Sequence, residues 1–475
     1  MLKLPVRNTL TLLLAAAVLA GCAAPGTLDL TPQGGTPSPA VTETLRPEPT
    51  RTPTVTPTPA WLVPEAELSR VRLLVLHPWV GESGQALDQL AAEFNAANTW
   101  GIQVMLESTG STALLYDRVE QGLAGEGERP HLAVASPEQA FSWDELSGQV
   151  ADLQPFLQDG AYGLEDPAGE IFLAGLQADG RLLGLPLLAG TRALFYNQTW
   201  GGELGFAAPP ATLDEFREQA CAASVHNLAD GDLDNDGTGG WYADADALTV
   251  LSWMRGFRQQ DPGGSTGLEY GFDSPEAEDA LTFLREMVDD SCAWIGRQPT
   301  AYEYFANRYA LFYSGSLPET LVQARTMQRL GSEDVWTVIP FPGEDGPVAL
   351  LDQTALVVFE GSPAETLSAW LFARWLAAPE RQAALAEASA LAPVSAAALA
   401  KMAGFRSQNA QWSAGADLLS FAQNPPSRGS WRVARLVLED AAWQSLQAYL
   451  TAEDIPFILE QLDATIREVG ALEGY

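Results

Sequence analysis

Val71-Arg-Leu-Leu-Val-Leu76, Gly101-Ile-Gln-Val-Met-Leu106 and His131-Leu-Ala-Val-Ala135 are three short apolar runs, and each reads as a buried strand. Between the first two, residues 86–95 place Leu87, Leu90, Ala91 and Phe94 on one helical face. A second helical stretch, 113–123, separates the second run from the third. Strand, helix, strand, helix, strand predicts a parallel sheet of the α/β class. Ligands of such sheets collect at the loops beyond the carboxyl ends of the strands. Those loops here are 77–84, 108–112 and 136–143.

Working outward, Gly180-Arg-Leu-Leu-Gly-Leu-Pro186 reads as a short hairpin, followed by a strand over 192–196. Past Pro209-Pro210 a helix starts at Thr212, with Glu215 three residues on to complete a capping box. Further helices are expected over 243–258, 275–289 and 300–307, and strands over 309–313, 335–340 and 355–359. Beyond residue 363 the pattern is almost wholly helical, and no internal repeat occurs. Alternating elements split by segments that cross back suggest two lobes with a cleft between them, a common place for small-molecule sites.

The amino terminus is of another kind. Lys3 and Arg7 precede an apolar run over 10–20, too short to span a bilayer as a mature helix. The ending Leu19-Ala20-Gly21-Cys22 resembles the bacterial lipobox, in which the chain is cleaved before the cysteine and its thiol carries lipid. That resemblance implies a signal peptide over 1–21 and a membrane anchor at Cys22 that needs no transmembrane helix. Residues 23–64 are dominated by Thr, Pro, Gly and Ser, as in Thr50-Arg-Thr-Pro-Thr-Val-Thr-Pro-Thr-Pro59. Such a stretch buries no core and favours extended polyproline II. At about 3.1 Å per residue it would reach on the order of 120 Å as a tether.

With 475 residues and 47% hydrophobic content, the remainder is long enough for two or three compact units with a real core. The net charge of −35 argues against nucleic acid or an anionic bilayer as a partner sought through the general field. Cys221 and Cys292 would lie in an oxidising compartment, where a disulfide is expected; two buried free thiols are the alternative.

In order along the chain, several segments resemble the extracellular solute-binding proteins of ABC importers. The likeness is to their sugar-binding branch, family 1, which includes maltodextrin-binding proteins. They are Leu73 to Asn95, Gly101-Ile-Gln-Val104, Gly180 to Pro186, Leu194-Phe-Tyr-Asn197 and Pro210-Ala-Thr-Leu-Asp-Glu-Phe216. Phe305-Ala-Asn-Arg-Tyr-Ala-Leu-Phe-Tyr-Ser-Gly315 and Ser368-Ala-Trp-Leu-Phe-Ala-Arg-Trp-Leu376 complete the set. The resemblance implies a type II periplasmic-binding-protein-like fold, with two α/β lobes joined by three hinge crossings and closing over ligand. Crossings would fall near 189–192, 335–341 and 390–395. Lobe 1 would hold 65–190 and 342–392, and lobe 2 would hold 191–341 and 393–475. It also implies a monomer without a required cofactor, which hands its ligand to ABC transporter permease subunits from the extracellular or periplasmic face.

A sugar site needs planar hydrogen-bonding groups and flat aromatics. Among 14 tryptophans, Trp79, Trp253 and Trp431 are the stacking candidates, with Trp241 behind them; Trp370 and Trp375 read as core. Polar candidates are Glu82, Ser136, Arg192, Ser314, Ser316, Asp352 and Gln353. Leu317 stands near where the family carries an aromatic, which argues against a plain maltodextrin copy. Asp232-Leu-Asp234-Asn-Asp236-Gly237 matches the first half of a calcium loop, but Ala243 takes the slot of the bidentate Glu. Bound Ca2+ and a family-type turn are both open readings. His77, His131 and His226 show no metal-ligand spacing, and neither a nucleophile elbow nor a phosphate loop appears. An enzyme is therefore not expected. A surface glycan-processing enzyme with paired carboxylates, or an adhesive or sensory sugar-binding protein, is the alternative.

Overall fold

A computed structural model describes residues 63–257, 272, 274–297, 300–426, 428–447 and 450–473. The signal peptide, Cys22 and the tether lie outside the described residues. Strand β1 (Arg72–His77) runs parallel to β2 (Gln103–Ser108) and β3 (Leu132–Ala135), with the helices Gly81–Ala97 and Thr112–Leu123 between them. The first helix turns Leu87, Leu90, Ala91 and Phe94 inward, as their spacing predicts. A two-stranded hairpin, β4 (Gln177–Ala178) with β5 (Arg181–Leu182), precedes the strand that organises everything else.

That strand, β6, spans Leu185–Asn197, and every residue but Arg192 is buried. Its first half pairs with the strand that leads back into the β1–β3 half of the sheet. Its second half pairs with β9 (Ala310–Ser316), beyond which lie β7 (Gly239–Tyr242) and β8 (Ala293–Trp294). Strand β10 (Trp336–Ile339) covers the last four residues of β6. Strand β11 (Leu350–Val358) runs antiparallel to β6 from Arg192 back to Leu185 and also pairs with β3. Its register slips after Thr354, opposite Pro186, which has no N–H to give. On the other edge of β6, β12 (Ala392–Pro393) pairs with Ala189 and Leu188. Three chain segments thus cross side by side near residues 188–192, 350–354 and 392–393. This is the mixed α/β, two-lobe architecture anticipated, with its second crossing about ten residues later than expected.

Two apolar clusters fill the molecule. One joins the β1–β3 half to Phe195, Tyr313 and Trp336 on one face of the second half-sheet. The other lies on the opposite face, around Phe216, Trp241 and Trp253. The helix Leu213–Ala229 is capped by Thr212, whose hydroxyl accepts from the Glu215 N–H. Glu215 closes the turn onto the Ala211 N–H instead of that of Thr212. A disulfide ties Cys221 of this helix to Cys292 at the edge strand β8. Gly240 is needed beside it, because a Cβ there would collide with the Cys292 carbonyl oxygen.

The bond links residues 71 apart in sequence, so Cys221→Ala should cost about 2–4 kcal/mol of stability through the freed unfolded chain. Denaturant unfolding of both forms measures this, and an unchanged midpoint would contradict it.

Candidate functional site

A cavity of about 140 Å3 opens where the two halves of the sheet meet. Its floor is Leu351, Asp352 and Gln353 of β11. One wall is Pro137 and Glu138, at the start of the helix Pro137–Ser147, which Ser136 caps through a capping box with Gln139. The facing wall is Asp246, Ala247 and Leu248, at the start of the helix Ala247–Gly256, together with Trp431, Arg435 and Glu439 of the helix Trp431–Ser445. Asn424, Pro425 and Pro426 close one end beside Gly175. A side chain at Gly175 would collide with Asn424 Oδ1, so the glycine lets Asn424 reach this position.

Contacts cross the cavity's mouth. Arg435 stands 3.5 Å from the Glu138 carboxylate. The Gly429 N–H donates to Glu145 at 3.2 Å, and the Arg432 guanidinium lies 3.9 Å over the Tyr116 ring. Behind the second wall sits a tighter cluster. Arg192 donates through Nε to Thr249 Oγ1 at 2.6 Å and through Nη2 to Asp244 at 3.2 Å, and it stands 3.4 Å from Asp246. Burial opposes the charge on Arg192, but Asp244, Asp246 and Glu319 outweigh it and hold the guanidinium firmly protonated.

Asp352 differs from these. Its carboxylate is reachable from the cleft, and among the described residues it has no hydrogen bond or ion pair. The residue is exposed to the cleft, but the cavity walls around it displace part of its water. That desolvation, reinforced by Glu138 and Asp246 and opposed by Arg435 and Arg192, pushes its pKa up to about 6. Desolvation also raises Glu439, against the pull of Arg435.

Of the residues expected from sequence, Asp352, Gln353 and Trp431 line the cavity. Ser136 shapes it as a helix cap. Arg192 and Ser314 stand behind it, the Ser314 carbonyl accepting from Arg192 at 3.5 Å. Ser316 is spent on Glu319, to which its hydroxyl donates at 2.9 Å. Glu82 is exposed in the first turn of its helix. Trp79 is half-buried near His77, away from the cavity. Trp253 corrects the expectation of a stacking surface. It is fully buried among Phe216, Trp241, Phe283 and Phe341, all with ring centroids within 4.9–5.6 Å, which leaves no face for a ligand. Trp241 is core for the same reason.

Glu138, Asp246, Asn424, Arg435 and Glu439 were not anticipated. Arg435 and Glu439 follow Trp431 at four and eight residues, so one helix face carries all three; that spacing was available in the sequence.

The calcium reading does not survive the geometry. Asp232 Oδ1 accepts the Asp234 N–H, and Asp230 takes the Asp232 N–H and the Asn235 amide, which makes the segment an Asx-type turn. Among the described residues, no three His, Cys, Asp or Glu side chains are placed to hold a metal ion. No described helix is long and apolar enough to cross a membrane.

Two α/β half-sheets thus meet at three crossing segments, with a polar cavity lined from both. Residues 89–419 match the bacterial extracellular solute-binding protein family, and the chain belongs to that family. A Brucella abortus (strain 2308) protein named as a binding protein is 25% identical over 224 residues, and a Brucella suis relative matches equally. The chain spans about half the length of these curated relatives: the match covers 47% of this chain and 44% of theirs.

Among solved structures, the sugar-binding protein MalE of Xanthomonas citri superposes with a TM-score of 0.70 at 18% identity, covering 84% of this chain and 98% of that one. The cyclic alpha-maltosyl-1,6-maltose binding protein of Arthrobacter globiformis gives 0.65 at 18%, covering 84% and 100%. UgpB of Mycobacterium tuberculosis, in complex with glycerophosphocholine, gives 0.67 at 16%, covering 84% and 99%. Family and neighbours alike are binding proteins.

The raised Asp352 pKa has a stability consequence. An unfolded Asp titrates near 4, so the folded chain holds the extra proton between about pH 4 and 6 and loses stability as pH rises through that window. Asp352→Asn should therefore gain in melting temperature over the parent as pH climbs from 4 to 7, with little difference at pH 4. Calorimetry across that range tests it; a pH-independent difference would contradict it.

Proposed function

We propose that this chain captures a small polar solute, a carbohydrate, in the cavity between its lobes and delivers it to the permease of an ABC importer. The observation that carries this reading is the cavity itself. It lies at the three-segment crossing, has walls from both half-sheets and combines an aromatic with convergent polar groups. Its volume has room for about ten waters, which suits one or two sugar rings better than a long chain. In this reading Asp352, Gln353 and Trp431 touch the ligand, joined by Glu138, Asp246, Arg435 and Glu439. Arg192 and Ser314 hold the second wall in place.

The lobes are those expected from sequence, 65–190 with 342–392 and 191–341 with 393–475, with the second boundary moved to the crossing at 350–354, and they close about the crossing strands. The protein works as a monomer outside the cell, held by lipid on Cys22 and spaced from the membrane by residues 23–64. Nucleic acid has no part in this function. Capture from dilute solution explains why polar groups from both half-sheets converge on the cavity.

Ligand binding stabilises the folded chain by RT ln(1 + [L]/Kd). A thermal-shift panel of mono- and disaccharides, amino acids, polyamines and phosphate esters should give its largest rise with a carbohydrate. Trp431→Ala should then weaken that ligand by about 1–3 kcal/mol. A shift with peptides or phosphate esters alone contradicts the carbohydrate assignment. For the anchor, Cys22→Ala should move the protein from the membrane fraction to the soluble one, and persistence in the membrane fraction refutes lipid attachment.

A further inference from the structure

The side chains that line the cavity are rich in acceptors and poor in donors. Glu138, Asp246, Asp352 and Glu439 bring four carboxylates, against the single guanidinium of Arg435 among the described residues. Each of the two amide side chains has one of its N–H groups committed elsewhere. Gln353 donates to the Phe172 carbonyl at 3.0 Å and Asn424 to the Ile171 carbonyl at 2.9 Å. A carbonyl partner fixes which end of each amide is nitrogen. Gln353 is 4% exposed, and its Oε1 is left without a partner while the residue lines the cavity. A buried acceptor in that state costs free energy until a donor arrives. The Asp352 carboxylate is likewise uncommitted, and Arg435 already faces Glu138.

A neutral polyol brings hydroxyls that both give and accept, so its site needs donors as well as acceptors. An ammonium group is all donor and carries the charge that these four carboxylates still lack with Arg435 on Glu138 and Arg192, shared with Asp244, behind Asp246. A phosphate or carboxylate ligand would meet repulsion from the same set. Resting on the cavity being the capture site, we propose that its ligand carries an ammonium group, held between Asp352, Gln353 Oε1 and the carboxylates of the facing walls. Trp431, on the same lining, suits the body of such a ligand, since an aromatic face attracts both sugar C–H surfaces and cations.

Calorimetric titration of the wild-type protein at pH 7.5 with charge-matched sets tests this. One set is glucosamine, N-acetylglucosamine and glucose; the second is the β-1,4-linked dimers of the first two; the third is putrescine and spermidine. An ammonium compound should bind about tenfold or more tighter than its neutral twin. That preference should fall to near parity in Asp352→Asn, a variant whose folding is checked by its melting curve. If a neutral sugar binds as tightly as its ammonium twin, or if glucose or an N-acetylated sugar binds and no amine does, this inference is overturned while the capture of a carbohydrate stands. If polyamines bind and no sugar does, the ammonium inference stands and the carbohydrate reading is overturned. If no compound in any set binds, both are overturned.

Discussion

Thirteen consecutive residues, Leu185–Asn197, form the one strand that belongs to both halves of the sheet. Everything that positions the cavity hangs from its hydrogen bonds. On one edge β6 holds β11 up to Arg192 and then β10; on the other it holds β12 and then β9. Because its backbone groups are almost all committed, and twelve of its residues are buried, its path is tightly specified. Arg192, its one residue that is not fully buried, falls where the partners change. There it gathers Thr249, Asp244 and Asp246 and so fixes the start of the helix that makes the second wall.

Much of this was legible from residues alone. The β1–β3 half was readable because its apolar runs are unbroken and its helices carry their stripe at a strict period. The capped start at Thr212 was readable from a threonine followed three residues on by Glu215. Strand β6 was harder. Pro186, Gly190 and Arg192 interrupt its pattern, so the sequence reads as a hairpin, a crossing and a short strand. Only tertiary pairing on both edges makes it continuous.

Strand β11 was shortened for a more informative reason. Its first residues include Asp352 and Gln353, whose polarity argues against a buried strand, and they are polar because they floor the cavity. The tryptophans misled in the opposite sense. Trp253 and Trp241 are abundant surface for a sugar on paper, but a helix and a strand turn them into the second core. Trp431 reaches the cavity because it opens a helix whose next two turns carry Arg435 and Glu439 on the same side. Local facts set the elements, while the identity of the cleft-facing residues depends on which strands cross, and that is a long-range property.

Hydrogen–deuterium exchange, with and without a saturating stabilising ligand, tests most directly that solute is held at this crossing. The account predicts added protection in 137–139, 246–249, 351–353, 424–426 and 431–439, from both walls and the floor at once. Protection confined to the loop 77–84 around Trp79 and Glu82, with those stretches unchanged, would contradict it.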